Sequence, residues 1–431
     1  MAEKRVLIIA YYFPPLGGAG VQRILKFAKY LPEFGWEPTV LTVKNISYPA
    51  RDEALLKELP PAIRVVRSGS LDPQRILYLL KRASLFQGEK TGKTGAKSGS
   101  GPGWLTRLFF PDSKNGWIPF ARMRGRSLLK KQEFDLIFSS SPPVSSHMIA
   151  YHLSKITGKP LVVDFRDPWE LLSETDSGSW CRRLHERLQK KVLARAKGVV
   201  AVNGFMAEDL RKKFNDIRLE MIPNGFDSVD FEGFKPEVTD KFEIVYLGTF
   251  NLWNNPNPFL QAFSELVREN REFAEKAQFT RVGFVLNWNW NALLEKYGLD
   301  DKNVISLDYV PHRESIKHLL RSKLLLLTAG GKKKSVLHTP GKIYEYLAAR
   351  KPILAIVPQD GAAAELVRKY KAGTAVDPND QTGMKKELLS LFERYRENNL
   401  GNLPSNSELS QLERRNQTQR LAEFFNRCIG E

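Results

Sequence analysis

The feature that most constrains this chain is an order of elements that it uses twice. Residues 6–10 form a short apolar run that leads into a proline- and glycine-rich loop at 14–20. A helical pattern follows, with apolar side chains on one face at Val21, Ile24, Leu25, Ala28 and Leu31. The order restarts with an apolar run at 242–247, a loop at Gly248-Thr249 and a helical pattern at 258–269. A strand, loop and helix repeated in this way is typical of an α/β protein.

Further apolar runs predict the remaining strands. They lie at 38–43, 135–139 and 161–165 in the first part of the chain, and at 282–286, 304–307, 324–327 and 353–357 in the second part. Helix-length segments separate them, and residues 408–429 read as one long final helix. Strands that alternate with helices favour parallel, doubly wound sheets.

The length of the chain predicts two lobes. A chain of 431 residues exceeds what one compact core usually holds. Pro223-Asn224-Gly225 is a turn signal between the two strand series, so we expect the hinge at 221–230. The predicted domains are residues 1–222, 223–405 and a C-terminal segment, 406–431.

The cysteine content and the hydrophobic runs predict a cytoplasmic protein. Two cysteines are too few for a secreted disulfide scaffold. The apolar run after Lys4-Arg5 is short and has no cleavage-site pattern, so it is predicted to be a buried strand and not a signal peptide. Because no stretch approaches the ~18 apolar residues of a spanning helix, membrane contact is expected to be peripheral, at the inner face of the cell membrane.

Positive charge is concentrated in a predicted insertion at about 71–131. Residues 75–131 hold 13 basic and two acidic residues, against a net charge of +18 for the whole chain. Nucleic acid, anionic lipid and a phosphorylated substrate each explain such an excess. The aromatic and basic residues Trp104, Trp117, Arg122 and Arg124 favour an acceptor-side face on an anionic membrane. The alternative is a solvated basic surface with buried aromatics; no nucleic-acid recognition motif is present, so nucleic acid is not an expected partner.

The first glycine loop, with Gly17 and Gly18, follows a strand and precedes a helix, as dinucleotide-binding loops do. Arg23 stands where that fingerprint has its third glycine, and the next strand ends at Lys44 without an acid for a ribose. We therefore expect no nicotinamide or flavin cofactor. The loop is interpreted as a glycine-lined floor for a substrate, with a simple tight turn as the alternative.

A second group of polar residues follows the predicted strand at 161–165. Arg166 and Asp167 stand at its carboxyl end, where ligand crevices of open α/β sheets lie. They are candidate catalytic residues. The alternative is an ion pair that ties this strand to the next helix.

The most specific local pattern lies in the second half of the chain. A strand ends at Leu327, a basic glycine loop containing Lys332 follows, and Pro340-Gly341-Lys342 begins a helix. Backbone N–H groups at the helix start, together with Lys342, suit a diphosphate. Glu345, one turn further on, can accept hydrogen bonds from ribose hydroxyls. The alternative is a solvated lysine run before an ordinary helix.

Together these segments resemble glycosyltransferase family 4 of the GT-B enzymes. The resemblance rests on the first glycine loop, residues 165–169 and 222–225, Tyr246-Leu247-Gly248-Thr249, and residues 340–348. It implies two Rossmann-like lobes facing a central cleft, with the C-terminal helix returning to the first lobe. It also implies metal-independent transfer, with retention, from a nucleotide sugar such as a UDP- or GDP-sugar. The acceptor would be a saccharide or lipid-linked saccharide of a bacterial surface polysaccharide, such as O-antigen, capsule or exopolysaccharide.

The resemblance also assigns roles to individual residues. The catalytic set would be Arg166, Asp167 and Lys342, and the donor-binding set Gly17, Gly18, Thr249, Lys332, Gly341, Lys342 and Glu345. This sequence departs from the family pattern at four places: Leu337 replaces the first of two glutamates, Arg166 a histidine, and Thr249 and Asn255 an arginine and a lysine. Lys342 would then meet the charge of the diphosphate.

Two other classes of function remain open at this point. A nucleotide-sugar 2-epimerase on the same scaffold would consume donor without an acceptor and would need acid and base groups in the cleft. None of the six histidines lies in the motifs above. A non-catalytic sugar-binding protein is the other alternative, favoured by the missing family residues and disfavoured by the diphosphate motif.

Overall fold

The structure is a computed structural model that describes residues 4–85, 110–169, 179–214, 216–234, 239–330, 336, 339–401 and 403–430. The chain divides into two compact units, Met1–Pro223 with Thr418–Glu431, and Asn224–Gln417. Residues 406–417 of the expected C-terminal segment thus group with the second unit, and residues 418–431 with the first. No helix among the described residues is both long enough and apolar enough to cross a membrane.

The first unit contains a seven-stranded parallel sheet in the order β3-β2-β1-β4-β5-β6-β7. The strands are β1 (Lys4–Ile9), β2 (Trp36–Val43), β3 (Arg64–Ser68), β4 (Leu136–Ser141), β5 (Leu161–Phe165), β6 (Gly198–Ala201) and β7 (Leu219–Met221). The helices are α1 (Ala19–Tyr30), α2 (Pro73–Leu85), α3 (Ile118–Lys131), α4 (Val144–Thr157), α5 (Ser179–Arg195) and α6 (Gly204–Lys213).

The second unit contains a six-stranded parallel sheet in the order β10-β9-β8-β11-β12-β13. Its strands are β8 (Phe242–Leu247), β9 (Ala277–Val282), β10 (Val304–Leu307), β11 (Leu324–Thr328), β12 (Ile353–Ile356) and β13 (Gly373–Val376). Its helices are α7 (Asn257–Glu269), α8 (Arg271–Lys276), α9 (Trp290–Tyr297), α10 (His312–Arg321), α11 (Lys342–Ala349), α12 (Ala362–Lys369), α13 (Gln381–Arg396) and α14 (Asn406–Leu409). A last helix, α15 (Arg414–Ile429), begins in this unit and ends in the first.

Each sheet is buried on both faces, which explains why its central strands are almost wholly apolar. Along β1, Leu7 and Ile9 enter one core cluster of the first unit while Val6 and Ile8 enter the other. Side chains of β8 divide in the same way between the two core clusters of the second unit. The predicted fold, two Rossmann-like parallel-sheet lobes, is confirmed.

One predicted strand is wrong in position. The apolar run at 282–286 is not a strand; β9 ends at Val282, where that run begins. The real strand carries Gln278, Thr280 and Arg281, so its sequence looks less apolar than the loop after it.

The predicted final helix is interrupted. Glu413 is extended, with ψ of 129°, and separates α15 from the short helical turns before it. From Thr418 onwards α15 packs on the first sheet: the ring of Phe425 lies 5.2 Å from those of Trp36 and Phe138. Trp36 Nε1 donates a hydrogen bond to Asn426 Oδ1 at 3.1 Å.

Candidate functional site

In the second unit, the carboxyl end of β8 approaches the start of α11. Gly248 follows β8 with φ of +124°, a conformation that favours glycine. A Cβ at this position would lie 3.1 Å from Lys342 Nζ. The absence of a side chain at Gly248 therefore leaves room for the ammonium group.

The ammonium group of Lys342 is buried without a hydrogen-bond partner among the described residues. It lies 3.8 Å from the ring centroid of Tyr246, although the residue as a whole is partly exposed. Burial lowers the pKa of Lys342 from 10.5 to about 7. Because an unpaired buried cation destabilises a fold, this lysine is a strong candidate for binding an anion.

The ammonium group of Lys342 lies over the first ring of an aromatic stack formed by Tyr246, Phe250 and Trp290. The Tyr246 ring lies 3.8 Å from the Phe250 ring, which lies 5.8 Å from the Trp290 ring, both nearly parallel. Tyr246 Oη donates a hydrogen bond to the Thr249 carbonyl oxygen at 3.1 Å, and burial raises the pKa of this phenol. The ring therefore stays neutral and presents its electron-rich face to the ammonium.

Helix α11 is held against the sheet through Tyr346. Its hydroxyl accepts a hydrogen bond from Leu247 N at 2.9 Å and donates one to the Leu326 carbonyl oxygen at 3.2 Å. No side chain caps the helix start at Gly341. The first turn of α11 is thus fixed beside the ends of β8 and β11, with its positive dipole end uncapped.

Glu345 is paired with a histidine that the sequence motifs do not include. His312, the first residue of α10, places Nε2 2.9 Å from Glu345 Oε1, and its Nδ1 lies 4.0 Å from Asp230 Oδ2. All three side chains are 15–20% exposed. The second unit therefore presents a carboxylate, an imidazole and a buried ammonium on neighbouring elements.

Of the other residues predicted here, Gly341 and Thr249 are partly exposed, and the Thr249 carbonyl also accepts a hydrogen bond from Asn254 at 3.3 Å. Lys332 and Leu337 lie outside the described residues.

In the first unit, Arg166 connects the end of β4 with the first turn of α1 at the carboxyl edge of the sheet. Its Nε donates a hydrogen bond to the Ser141 carbonyl oxygen at 2.7 Å, and its Nη1 donates to the carbonyl oxygen of Gly20. Burial lowers the pKa of Arg166, an effect that the neighbouring Asp167 carboxylate opposes. The start of α1, directly after Gly17 and Gly18, thus lies next to the end of β5.

Arg23, which replaces the third glycine of the dinucleotide fingerprint, has a structural partner. Its guanidinium forms two hydrogen bonds with Asp164, at 2.8 and 3.0 Å, and both side chains are fully buried. Ser140 Oγ also donates to Asp164 at 2.7 Å. The Arg23–Asp164 pair therefore joins α1, the helix that follows the glycine loop, to β5.

A second histidine outside the sequence motifs, His147, packs against Phe165 and Trp169, on either side of Arg166 in the sequence. His147 is fully buried, and burial lowers its pKa to about 3. Its Nδ1 lies 2.8 Å from Ser139 Oγ, and its ring is stacked 6.1 Å from that of Trp169. This neutral imidazole supports the segment that carries Arg166 and Asp167.

The predicted membrane face needs one correction. Trp117 is fully buried, and its indole donates a hydrogen bond to Ser68 Oγ at 2.7 Å. It belongs to a core cluster of the first unit, where its ring packs edge-on against Tyr11 at a centroid distance of 5.3 Å. Arg122 and Arg124 are exposed on α3, and Trp104 lies outside the described residues.

Two family models match the chain in succession. Residues 17–225 match the "Glycosyl transferase 4-like domain" and residues 230–402 match "Glycosyl transferases group 1". The chain belongs to the GT-B glycosyltransferases of the family 4, group 1 type. The predicted family and the prediction of an enzyme are confirmed. No curated protein sequence matches the glycosyltransferase significantly.

Solved structures share the fold of the glycosyltransferase at low sequence identity. Sucrose-phosphate synthase from Thermosynechococcus elongatus has a TM-score of 0.66 at 12% identity, covering 98% of both chains. Anabaena HepE, in complex with UDP and glucose, has a TM-score of 0.64 at 16% identity, covering 98% of this chain and 100% of HepE. Staphylococcus aureus TarM, in complex with Fondaparinux, α-GlcNAc-glycerol and UDP, has a TM-score of 0.57 at 10% identity, covering 99% and 100%.

Proposed function

We propose that the glycosyltransferase uses a nucleotide-diphosphate sugar of the UDP-sugar class, bound by the second unit. The observation that carries this proposal is the buried ammonium of Lys342, which lies beside the uncapped start of α11 and within the same helix as Glu345. HepE is seen with UDP-glucose in a solved complex, and its structure aligns with 98% of this chain.

In this proposal the donor lies along the first turn of α11, with its diphosphate at the helix start and its ribose one turn further on. The diphosphate lies against Lys342 and the helix start at Gly341, and Glu345 accepts hydrogen bonds from the ribose hydroxyls. Thr249 lines the site next to Gly248, and Lys332, Gly17 and Gly18 complete the donor-binding set. No cofactor and no metal ion take part, because the side chain of Lys342 supplies the positive charge.

Catalysis then comes mainly from stabilising the leaving group. The bond between the anomeric carbon and the diphosphate oxygen breaks while the acceptor hydroxyl oxygen bonds to that carbon, and its proton passes to the departing nucleotide diphosphate. Negative charge grows on the leaving oxygen, where the desolvated ammonium of Lys342 interacts with it more strongly than in the ground state. We propose retention at the anomeric carbon, which the family resemblance supports.

The first unit is proposed to bind the acceptor. Arg166 and Asp167 stand at the carboxyl edge of its sheet, and the hydrogen bonds of Arg166 to Ser141 and Gly20 fix the guanidinium. These residues would orient an acceptor hydroxyl. A saccharide or lipid-linked saccharide of a bacterial surface polysaccharide is the proposed acceptor.

We propose that the enzyme is cytoplasmic and binds the inner face of the cell membrane peripherally. Helix α2 exposes four apolar side chains, Ile76, Leu77, Leu79 and Leu80, each 43–62% exposed. Residues Arg122 and Arg124 on α3 are exposed next to Met123, which is 69% exposed. Leu71 N, just before α2, donates a hydrogen bond to the carbonyl oxygen of Gly116, just before α3, at 3.1 Å, so the two helices begin close together. Apolar and cationic side chains together suit anionic lipid.

The test is a binding and transfer panel of UDP-, GDP- and ADP-sugars with and without a metal chelator. Comparing the wild type with Glu345→Ala should show selective, chelator-insensitive binding that falls about tenfold or more in the variant, since a charged hydrogen bond is lost. Glu393→Ala, an exposed glutamate on α13, is the matched control and should bind as the wild type does. Unchanged binding by Glu345→Ala would refute the proposed donor mode.

A further inference from the structure

We infer that His312 is a positioning residue that fixes the carboxylate of Glu345 and thereby selects ribose over deoxyribose in the nucleotide. This inference rests on the proposed function, in which Glu345 binds the ribose. It assigns a role to a residue on a different helix, outside every motif that carries the family resemblance.

The contact is specific in its atoms. His312 Nε2 and Glu345 Oε1 lie 2.9 Å apart, the distance of a good hydrogen bond, and connect the start of α10 with the first turn of α11. Because a carboxylate only accepts hydrogen bonds, Nε2 carries the proton and donates it. The contact therefore fixes the protonated ring nitrogen.

A carboxylate is a rigid planar group, so a hydrogen bond to one oxygen also orients the other. Glu345 has three side-chain torsions between its Cα and its carboxylate oxygens, and these sample several rotamers when unrestrained. Holding Oε1 through His312 reduces that freedom before the nucleotide arrives. Pre-organisation of this kind raises affinity because less side-chain entropy is lost on binding.

Asp230 extends the arrangement to a third element. Its Oδ2 lies 4.0 Å from His312 Nδ1, on the opposite side of the ring from Glu345. Asp230 lies in a short helical turn whose first residue, Ser228, donates its N–H to Glu413 Oε1 at 3.0 Å. A carboxylate on each side keeps the imidazole aligned along the line from Asp230 to Glu345.

This arrangement predicts discrimination at the sugar of the nucleotide. A site built to receive a hydroxyl donor rejects an analogue that lacks it, since the buried acceptor is then left unpaired. The discrimination depends on where the acceptor oxygens are held. Loss of His312 should thus reduce binding of a ribonucleotide more than binding of the 2′-deoxy counterpart.

The experiment measures the dissociation constants of UDP-glucose and 2′-deoxy-UDP-glucose for the full-length protein by calorimetry. His312→Leu should weaken UDP-glucose binding about tenfold and bring the two constants closer together. His312→Gln, whose amide can still donate to Glu345, should restore most of the difference. His318→Leu, on the same helix, is the matched control and should leave both constants unchanged, and circular dichroism checks that each variant is folded.

The outcomes separate this inference from the proposed function. If Glu345→Gln weakens UDP-glucose binding and His312→Leu does not, the positioning role is wrong while the donor site stands. If neither variant changes binding, or the wild type binds no UDP-sugar, both are wrong. Equal losses in His312→Leu and His312→Gln for both nucleotides would show that His312 is merely structural.

Discussion

The chemistry of Lys342 is decided by residues that are distant from it in sequence. The motif at 340–345 predicts a cation at a helix start, and the structure places Lys342 there. What the motif does not contain is Tyr246 beneath the ammonium and the missing side chain at Gly248. Tyr246 covers the amine and Gly248 leaves room for it, and both effects depend on the folded sheet.

Donor binding should therefore depend on pH through Lys342. The pKa of this lysine is about 7 in the free protein, against 10.5 for an exposed lysine. A bound diphosphate favours the ammonium form and raises this pKa, so binding above pH 7 takes up a proton. Affinity for UDP-glucose should fall as pH rises above about 7, by at most about tenfold per pH unit. Calorimetry in buffers of different ionisation enthalpy measures the proton uptake directly.

Lys342→Met is the matching variant because it keeps the length of the side chain and removes the charge. Its affinity should be lower and nearly independent of pH over the same range. The free variant should also be more stable than the wild type at pH 7, since an unpaired buried cation is gone. A wild-type affinity that stays constant from pH 6 to 9 would contradict the assignment of Lys342 to the diphosphate.

Other residues of the candidate site could not be predicted, for physical reasons. His312 follows a proline after β10 and carries no local signature, so only the packing of α10 on α11 brings it to Glu345. Trp117 was predicted on a membrane face because aromatic residues near cations suit an interface. Its hydrogen bond to Ser68 shows that a buried site satisfies the same indole.

At the scale of elements, the sequence predicted strands best where they are buried on both faces. The predicted runs at 161–165 and 242–247 coincide with β5 and β8, whose residues are all buried. Edge or polar strands were missed: β3 contains Arg64 and Arg67, and β7 has three residues. Half-exposed strands lack the continuous apolar pattern on which such predictions depend.

The docking of α15 on the first sheet depends on a small residue in β6. A Cβ at Gly198 would lie 2.5 Å from Cys428 Sγ and 2.7 Å from Phe424 Cζ, closer than atoms can approach. Gly198→Ala should therefore displace α15 and destabilise the first unit by about 1–3 kcal/mol. Hydrogen exchange should increase in residues 418–429 and stay unchanged in α4.

Gly204→Ala is the control, because a Cβ there has no neighbour within 4 Å. It should raise the stability of the protein slightly, because alanine has less conformational freedom than glycine in the unfolded chain. Equal exchange in residues 418–429 of the wild type and Gly198→Ala would show that the helix accommodates the added methyl group.

At the scale of the whole molecule, the net charge of +18 is distributed unevenly along the chain. The sequence predicted this asymmetry directly, because charge counts need no fold. It did not predict which apolar side chains stay exposed. The exposed face of α2, with Ile76, Leu77, Leu79 and Leu80, became visible only once the first unit was folded.

The enzyme should bind anionic vesicles, and high salt should weaken this binding without abolishing it. Sedimentation with phosphatidylglycerol vesicles should show binding that phosphatidylcholine vesicles do not support. Arg122→Glu combined with Arg124→Glu should weaken binding at low salt, because each basic residue near such a surface contributes about 1 kcal/mol. Leu77→Ser combined with Leu80→Ser should weaken the salt-resistant part.

Ile156→Ser is the control for the loss of an exposed apolar side chain, since Ile156 is 52% exposed on α4. Binding of the two double variants at wild-type strength would refute the membrane proposal. Concentration-dependent dimerisation of the wild type, lost in the leucine variant, would assign the α2 face to a second copy instead.

The division of the chain has a consequence for how the protein is made. Leu421, Phe424 and Phe425 belong to a core cluster that also contains Val6 and Phe138, yet they are synthesised more than 280 residues after Phe138. Residues 224–417 leave the ribosome before that cluster can close. Nascent-chain folding should then run against the usual N-terminal-first order, with the second unit acquiring its native structure while the first still awaits its last helix.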